Sequence, residues 1–199
     1  MWYQPTLLTL PVDAERHDLG DGAWVELARG WVGPPADGLF ERLVHGVRWR
    51  TERRPMYDRI VDVPRLLAWF EADEPWPDPE LGTIRDRLNA RYADGSDEPF
   101  VTLGLCLYRN GRDSVAWHGD TIGAGRPVDT LVAIVSLGAT RRLALRPRGG
   151  GAARSFPLAH GDLLVMGGSC QYTWEHAVPK TSRLVGPRVS AQLRARGVR

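Results

Sequence analysis

The sequence predicts an α+β fold in which helices come first and a sandwich or barrel of short strands follows. Before residue 93, two stretches repeat apolar residues at helical spacing. From residue 100 to 194, short apolar segments alternate with glycine-rich turns, the pattern of an all-β half. The chain has 199 residues, 43% of them hydrophobic, which suits one core and therefore one domain over 1–199. Within it, residues 1–99 read as a helical buttress to a strand-built core at 100–199.

Residues 1–38 read as short strands and turns, YQPTLLTL and then GAWVELARGWV, punctuated by Gly20, Gly22, Gly30, Gly33 and Pro34-Pro35. From Asp37 to Val47 the residues Leu39, Phe40, Leu43, Val44 and Val47 recur at helical spacing, with Asp37 as the expected N-cap. In residues 48–65, Arg48, Arg50, Arg53, Arg54 and Arg59 alternate with Trp49, Met56 and Tyr57. That segment reads either as a solvated charge run or as a nucleic-acid surface, arginines holding phosphates while aromatics stack on bases. A helix is expected over Pro64–Phe70, then a loop, EADEPWPDPE, and a second helix from Leu81 to Tyr92 striped by Ile84, Leu88 and Tyr92. The strand candidates are FVTLGLCLYR, DTLVAIVSLG, RRLALRP, RSFPLA, DLLVMGG and PRVSAQLR. The helical part is too small to bury a core of its own, so it should lean on the sheet.

Composition narrows the function classes. No apolar run reaches the length of a membrane span, and the N-terminus lacks the pattern of a signal peptide. Two cysteines, Cys106 and Cys170, make neither a disulfide framework nor a zinc ribbon. The expectation is a cytoplasmic protein with no membrane partner and no obligate protein partner. Formal charge is +2, yet residues 1–100 sum to −7 (12 basic, 19 acidic) and residues 101–199 to +9 (14 basic, 5 acidic). All but one of the 26 basic residues are arginine, the side chain that grips carboxylates and phosphates bidentately. An anionic partner or substrate follows.

The chemistry concentrates in SVAWHGDTIG. On a strand, His118 and Asp120 leave by the same face, so an imidazole and a carboxylate can occupy adjacent positions on a metal. A second histidine would complete a 2-His-1-carboxylate triad with open positions for co-substrate and oxygen. With five His and 15 Asp, H-x-D arises by chance about 0.4 times in such a chain, so it needs company. His17 and His45 have ordinary surface or packing readings, and His160 with Gly161-Asp162 suits a turn. His176, following a strand 56 residues after Asp120, reads as the returning ligand or as a core histidine beside Trp174. In PRVSAQLR, period two puts Arg188, Ser190, Gln192 and Arg194 on one strand face, toward a polar pocket that receives carboxylates. Cys106 and Tyr108 share a face in the same way, which brings the Tyr108 hydroxyl to that pocket.

Together these segments resemble the AlkB-like Fe(II)- and 2-oxoglutarate-dependent dioxygenases, over roughly residues 48–194. LYRNGRDSVAWHGD resembles the family's tyrosine strand leading into H-x-D, VAIVSLGATRRLALRPR its strand pair, HGDLLVMGGSCQYTWEHAVP the segment delivering the distal histidine, and PRVSAQLR its closing motif. The resemblance implies a double-stranded β-helix (jelly-roll) core with an N-terminal nucleotide-recognition lid. It implies Fe(II) held by His118, Asp120 and His176, and 2-oxoglutarate held by Arg188, Arg194, Tyr108 and Ser190, with O2 as oxidant. It also implies oxidative demethylation of N-alkylated bases in nucleic acid, releasing formaldehyde, on a base that is single-stranded or flipped out. Arg53, Arg142, Met56 and Tyr57 are the expected substrate contacts, with Arg141, Arg146 and Arg148 as further phosphate candidates. A 2-oxoglutarate oxygenase acting on RNA, protein or a small metabolite, or a non-catalytic nucleic-acid-binding jelly roll, are the alternatives. Cys106 stands where the family has Asn, Ser190, Gln192 and Leu193 depart from the closing motif, and Thr121 and Ile122 replace acids after the metal Asp.

Overall fold

The computed structural model describes residues 13–56, 59–93, 98–120 and 130–198, with only the backbone of 54–56 and 59–62. The expected YQPTLLTL strand, Tyr57, Thr121 and Ile122 lie outside the described residues, as does the Met56 side chain. The chain runs β1 (Ala14–Gly20), β2 (Ala23–Ala28), α1 (Ala36–Gly46), β3 (Arg50–Met56), β4 (Arg59–Phe70), α2 (Pro79–Tyr92), β5 (Thr102–Tyr108) and β6 (Val115–His118). It continues with β7 (Val132–Gly138), β8 (Arg141–Pro147), β9 (Arg154–Leu158), β10 (Leu163–Gly168), the short α3 (Cys170–Thr173), β11 (Trp174–Val178) and β12 (Arg188–Arg194).

The strands form an eight-stranded sheet in the order β1-β2-β10-β7-β12-β5-β4-β3 and a four-stranded sheet in the order β6-β11-β8-β9. This is the jelly-roll core. Strand alternation divides the large sheet's side chains into two layers. Leu103, Leu105, Leu107, Val135, Leu137, Val189 and Leu193 face one cluster with α1 and α2, which supply Leu39, Leu43, Leu81, Ile84 and Leu88. Cys106, Tyr108, Ile134, Leu164 and Met166 face the other, against Leu143, Leu145, Phe156, Trp174 and Val178 of the small sheet. The helices therefore back the sheet, and the opposite face is left to build a site.

The expected helix over Pro64–Phe70 is instead the end of β4, pairing with β5 from Leu66↔Leu107 to Phe70↔Leu103. Leu66, Ala68 and Phe70 pack toward the helices and Leu67 toward the other core. A strand apolar on both faces carries no period that separates it from a helix. Residues 14–70 thus supply four strands as well as α1.

Asp37 is not the N-cap of α1. Pro35 occupies that position without a side-chain bond, and Asp37 sits in the first turn, 3.3 Å from His160 Nε2. Gly138 N–H donates to His160 Nδ1 at 2.8 Å, so this histidine ties a turn to α1. Beside it, Gly161 turns the chain with φ +79° and buried Asp162 accepts from Gly30 N–H, Ala159 N–H and Arg29. α2 starts on Asp78, which accepts from Glu80 N–H at 2.9 Å and from Arg42, with Pro79 in the first turn.

The end of α2 is fastened to β2 through Glu26. This buried carboxylate accepts from the Tyr92 hydroxyl, from Arg91 at 2.7 Å and from Arg16 at 3.2 Å. Burial alone would raise its pKa, but the Tyr92 and Arg91 bonds outweigh it and leave it below the ordinary value. A carboxylate lowered on folding stabilises above its unfolded pKa, and that stabilisation fades as pH falls through the folded value. Glu26→Gln should therefore cost about 2 kcal/mol in urea unfolding at neutral pH. The deficit should shrink as pH falls below the ordinary glutamate range and through the lowered folded value, where the wild-type carboxylate takes up a proton.

Candidate active site

An open pocket of about 1220 Å³ lies between the large sheet and β6–β11. His118 reaches it through a β-bulge. His176 pairs with His118 and Val178 with Val115, so two residues of β6 lie opposite one of β11 between the pairs. The extra residue turns both Val115 and His118 toward the pocket, where strict alternation would have separated them. His118 is the last residue of β6, so Asp120 lies just past the strand rather than on it. His176 sits within β11, after α3, rather than beyond a strand.

The three side chains converge. His118 and His176 rings are 4.3 Å apart, and His176 Nε2 is 4.0 Å from Asp120 Oδ2. His118 Nδ1 lies 2.9 Å from Ala116 O, which orients the ring and leaves Nε2 for the pocket. Arg194 Nε and Nη2 both donate to Asp120 Oδ1, at 2.9 and 2.8 Å, while the buried Oδ2 accepts from no group among the described residues. Burial lowers both histidines, His176 to about 4, so both imidazoles are neutral at neutral pH. Burial would raise Asp120, but the Arg194 charge and then His176 overcome it and keep the carboxylate ionised. Cys170 is the opposite case. Burial, with the Asp120 charge, pushes its thiol up to about 12.

Two neutral imidazoles and a carboxylate with a bare buried oxygen fit a divalent metal. Among the described residues no three His, Cys, Asp or Glu side chains are already closed on one ion-sized point.

Deeper along the same face stands a cationic cradle. Arg188 is 1% exposed, and its Nε donates to Ser136 Oγ at 2.9 Å. Its Nη1 is buried with no partner. The Tyr108 ring centre lies 5.4 Å from the guanidinium, and burial raises this phenol above its ordinary pKa. Gln192 Nε2 donates to Ser190 Oγ at 2.9 Å, and the Cys106 thiol leans on Gln192 Oε1 at 3.7 Å. A buried arginine with a donor to spare fits a carboxylate ligand. The period-two reading of β12 therefore places its polar residues on the pocket face, while Val189, Ala191 and Leu193 face the helices.

The expected substrate contacts divide. Exposed Arg48 and Arg50 line the pocket rim, and Arg53 is exposed farther along β3. Arg142 does not reach the pocket. It leaves β8 by the face opposite Leu143, which lines the cavity. Arg141 is buried and donates to the carbonyls of Asn110, Asp113 and Pro179, so it is a structural brace rather than a phosphate contact. Arg146 is held by Glu175 at 2.9 Å and by the Trp117 ring. Arg148, exposed, lies across Gly119, where a Cβ would stand 2.0 Å from its Nη2. Two pocket residues escape the sequence reading, Arg65 and Trp69 of β4. Arg65 donates to Ser114 O at 3.3 Å, and its Nε is buried and unpaired. Period two from Arg65 through Leu67 to Trp69 was the signal, and the helical reading of this segment hid it.

Comparison with known proteins gives the chain its family. Residues 41–197 match the family model of the 2OG-Fe(II) oxygenase superfamily. The chain is 33% identical to human and 32% to bovine alpha-ketoglutarate-dependent dioxygenase alkB homolog 3, matching over 80% of its own length and 61% of theirs. It is 28% identical to human DNA oxidative demethylase ALKBH2, over 80% of this chain and 68% of that one. A solved structure of OsALKBH1 superposes with a TM-score of 0.60 at 14% identity, covering 91% of this chain and all of that one. A 2OG-Fe(II) oxygenase family oxidoreductase from Burkholderia pseudomallei gives 0.55 at 12% identity, covering 87% of each chain, and both likenesses speak for the fold alone. The chain belongs to the 2OG-Fe(II) oxygenase superfamily, as an AlkB-like member of it.

Proposed function

We propose that this protein is an Fe(II)- and 2-oxoglutarate-dependent dioxygenase that removes alkyl groups from the bases of nucleic acid, with DNA dealkylation as its reaction. The carrying observation is one pocket that joins the His118–Asp120–His176 cluster to the unpaired Arg188 cradle and opens beneath cationic Arg48 and Arg50. The relative named DNA oxidative demethylase supports this substrate class, and those named alpha-ketoglutarate-dependent dioxygenase support the co-substrate.

His118, Asp120 and His176 would hold the metal. Arg188, with Tyr108 and Ser190 beside it, would hold the distal carboxylate of 2-oxoglutarate, and Arg194, bonded to Asp120, would stand at the metal end of the pocket. When bound, Fe(II) with 2-oxoglutarate and O2 would supply the oxidising power to hydroxylate an N-methyl carbon, which then leaves the base nitrogen as formaldehyde. The protein's own part is to hold charge and position. Neutral imidazoles need lose no proton to ligate, and the buried arginines fix an anionic co-substrate away from water. A base stacked in a duplex cannot reach this floor, so it enters single-stranded or flipped. Arg48, Arg50 and Arg148 would meet its flanking phosphates.

The test is mass spectrometry of N-methylated oligonucleotides with Fe(II) and 2-oxoglutarate, scanned over lesions in DNA and in RNA. The expected result is loss of about 14 Da from methylated DNA with matching formaldehyde release. Succinate formed only without nucleic acid, or turnover confined to RNA, peptide or small-molecule substrates, would move the assignment there. Binding should also weaken with salt, by a slope of about −0.7 per phosphate contact on a single strand.

A further inference from the structure

The metal-side carboxylate is oriented by an arginine that itself rests on an aromatic ring from another strand. Trp69 of β4 pairs across the sheet with Gly104 of β5, which pairs on its other side with Gln192 of β12. At Gly104 an added Cβ would meet Trp69 Cζ3, Arg194 Nη1 and Gln192 Oε1, each at 3.1 Å. The missing side chain thus lets ring, guanidinium and amide close over one point of the pocket floor. The Arg194 guanidinium carbon lies 5.7 Å from the Trp69 ring centre, within cation–π reach. Its Nε and Nη2 are spent on Asp120 Oδ1, and its Nη1 is buried without a hydrogen-bond partner.

We infer that Trp69 is a positioning residue for the metal site: seated on Gly104, it holds Arg194 against Asp120 Oδ1 and so keeps Oδ2 turned toward the two histidines. This rests on the reading of Asp120 as a metal ligand. Geometry explains why the ring matters. With one oxygen of Asp120 gripped from behind, only the other is presented to the metal. Without the ring, Arg194 has a bare Nη1 and free volume beside it, and the carboxylate loses its fixed rotamer. Trp69 also belongs to the β3–β4 hairpin that brings Arg48 and Arg50 to the rim, so movement of that hairpin passes through two side chains, Trp69 and Arg194, to the metal ligand.

Co(II) binding to the full-length protein, read by calorimetry and by visible absorption, tests this without turnover. Trp69→Ala should weaken Co(II) binding three- to thirty-fold and change the absorption band, while the unfolding midpoint of the metal-free protein reports on the fold. Trp69→Phe keeps an aromatic face and should recover most of the affinity. Gly104→Ala, which presses a methyl into the same junction, should weaken binding about threefold and decides the matter if Trp69→Ala does not fold. Wild-type affinity and spectrum in folded Trp69→Ala, or in Gly104→Ala where that variant decides, overturn the inference. Asp120→Ala separates the two levels. Unchanged Co(II) affinity there removes the ligand assignment and this inference together, whereas loss there with none in Trp69→Ala removes the inference alone.

Discussion

Replacing His176 with alanine is expected to abolish turnover, and Asp120→Ala and His118→Ala should do the same. Loss of a group that merely orients a metal ligand costs about 10–100-fold. Loss of one of only three ligands should therefore exceed about 100-fold, through failure to retain the metal. The fold should survive His118→Ala best, because that ring is only half-buried at the end of β6. Succinate formation with iron in excess, beside the circular dichroism spectrum of each variant, checks both statements. Near-normal succinate from any of the three would refute the triad.

Arg188→Ala should raise the 2-oxoglutarate requirement by about 100-fold or more. Breaking a buried charge pair by removing one partner costs about 3–5 kcal/mol, and each 1.4 kcal/mol is a factor of ten. Arg188→Lys should recover only part of this. Lysine keeps the charge, but it has no planar fork with which to bond Ser136 Oγ and a carboxylate at once. Titration of 2-oxoglutarate against succinate output in both variants measures the effect. An unchanged apparent affinity would place the co-substrate's carboxylate elsewhere in the pocket.

Much of this architecture was legible in the sequence because its apolar patterning is clean. The bounds expected for β8, Arg141–Pro147, are those observed, and β5, β7, β10 and β12 fall inside the segments that predicted them. Alternation in β12 was decisive, since three apolar residues on one side leave Arg188, Ser190 and Arg194 on the other. The misses have physical causes. β1 is a charged edge strand, AERHDLG, and charge at an edge guards against stray pairing while hiding the strand from a hydrophobic pattern. β3 is the other edge and is masked by its arginines in the same way. Once β4 is read as a helix, Leu67 turns away from Arg65 and Trp69, and the strand face that the three form together is lost. No periodicity argument reveals the bulge in β6, because it exists only as a mismatch between two strands far apart in sequence.

The register of β4 against β5 limits how this protein can change its substrate. The hairpin that carries the rim arginines looks like a replaceable attachment, yet its second strand covers the fully buried β5. It also contributes Leu66, Ala68 and Phe70 to the core that holds the helices. Slipping β4 by one residue would reverse every side chain, turning Arg65, Leu67 and Trp69 into that core and Leu66 and Ala68 into the pocket. New specificity can therefore arise by exchange of single side chains on β3 and β4, or by insertion between them. A hairpin borrowed from a relative would function here only if it seated a compatible side chain opposite Gly104. In this chain the strand that lines the pocket is also scaffold, so the two can change only in step.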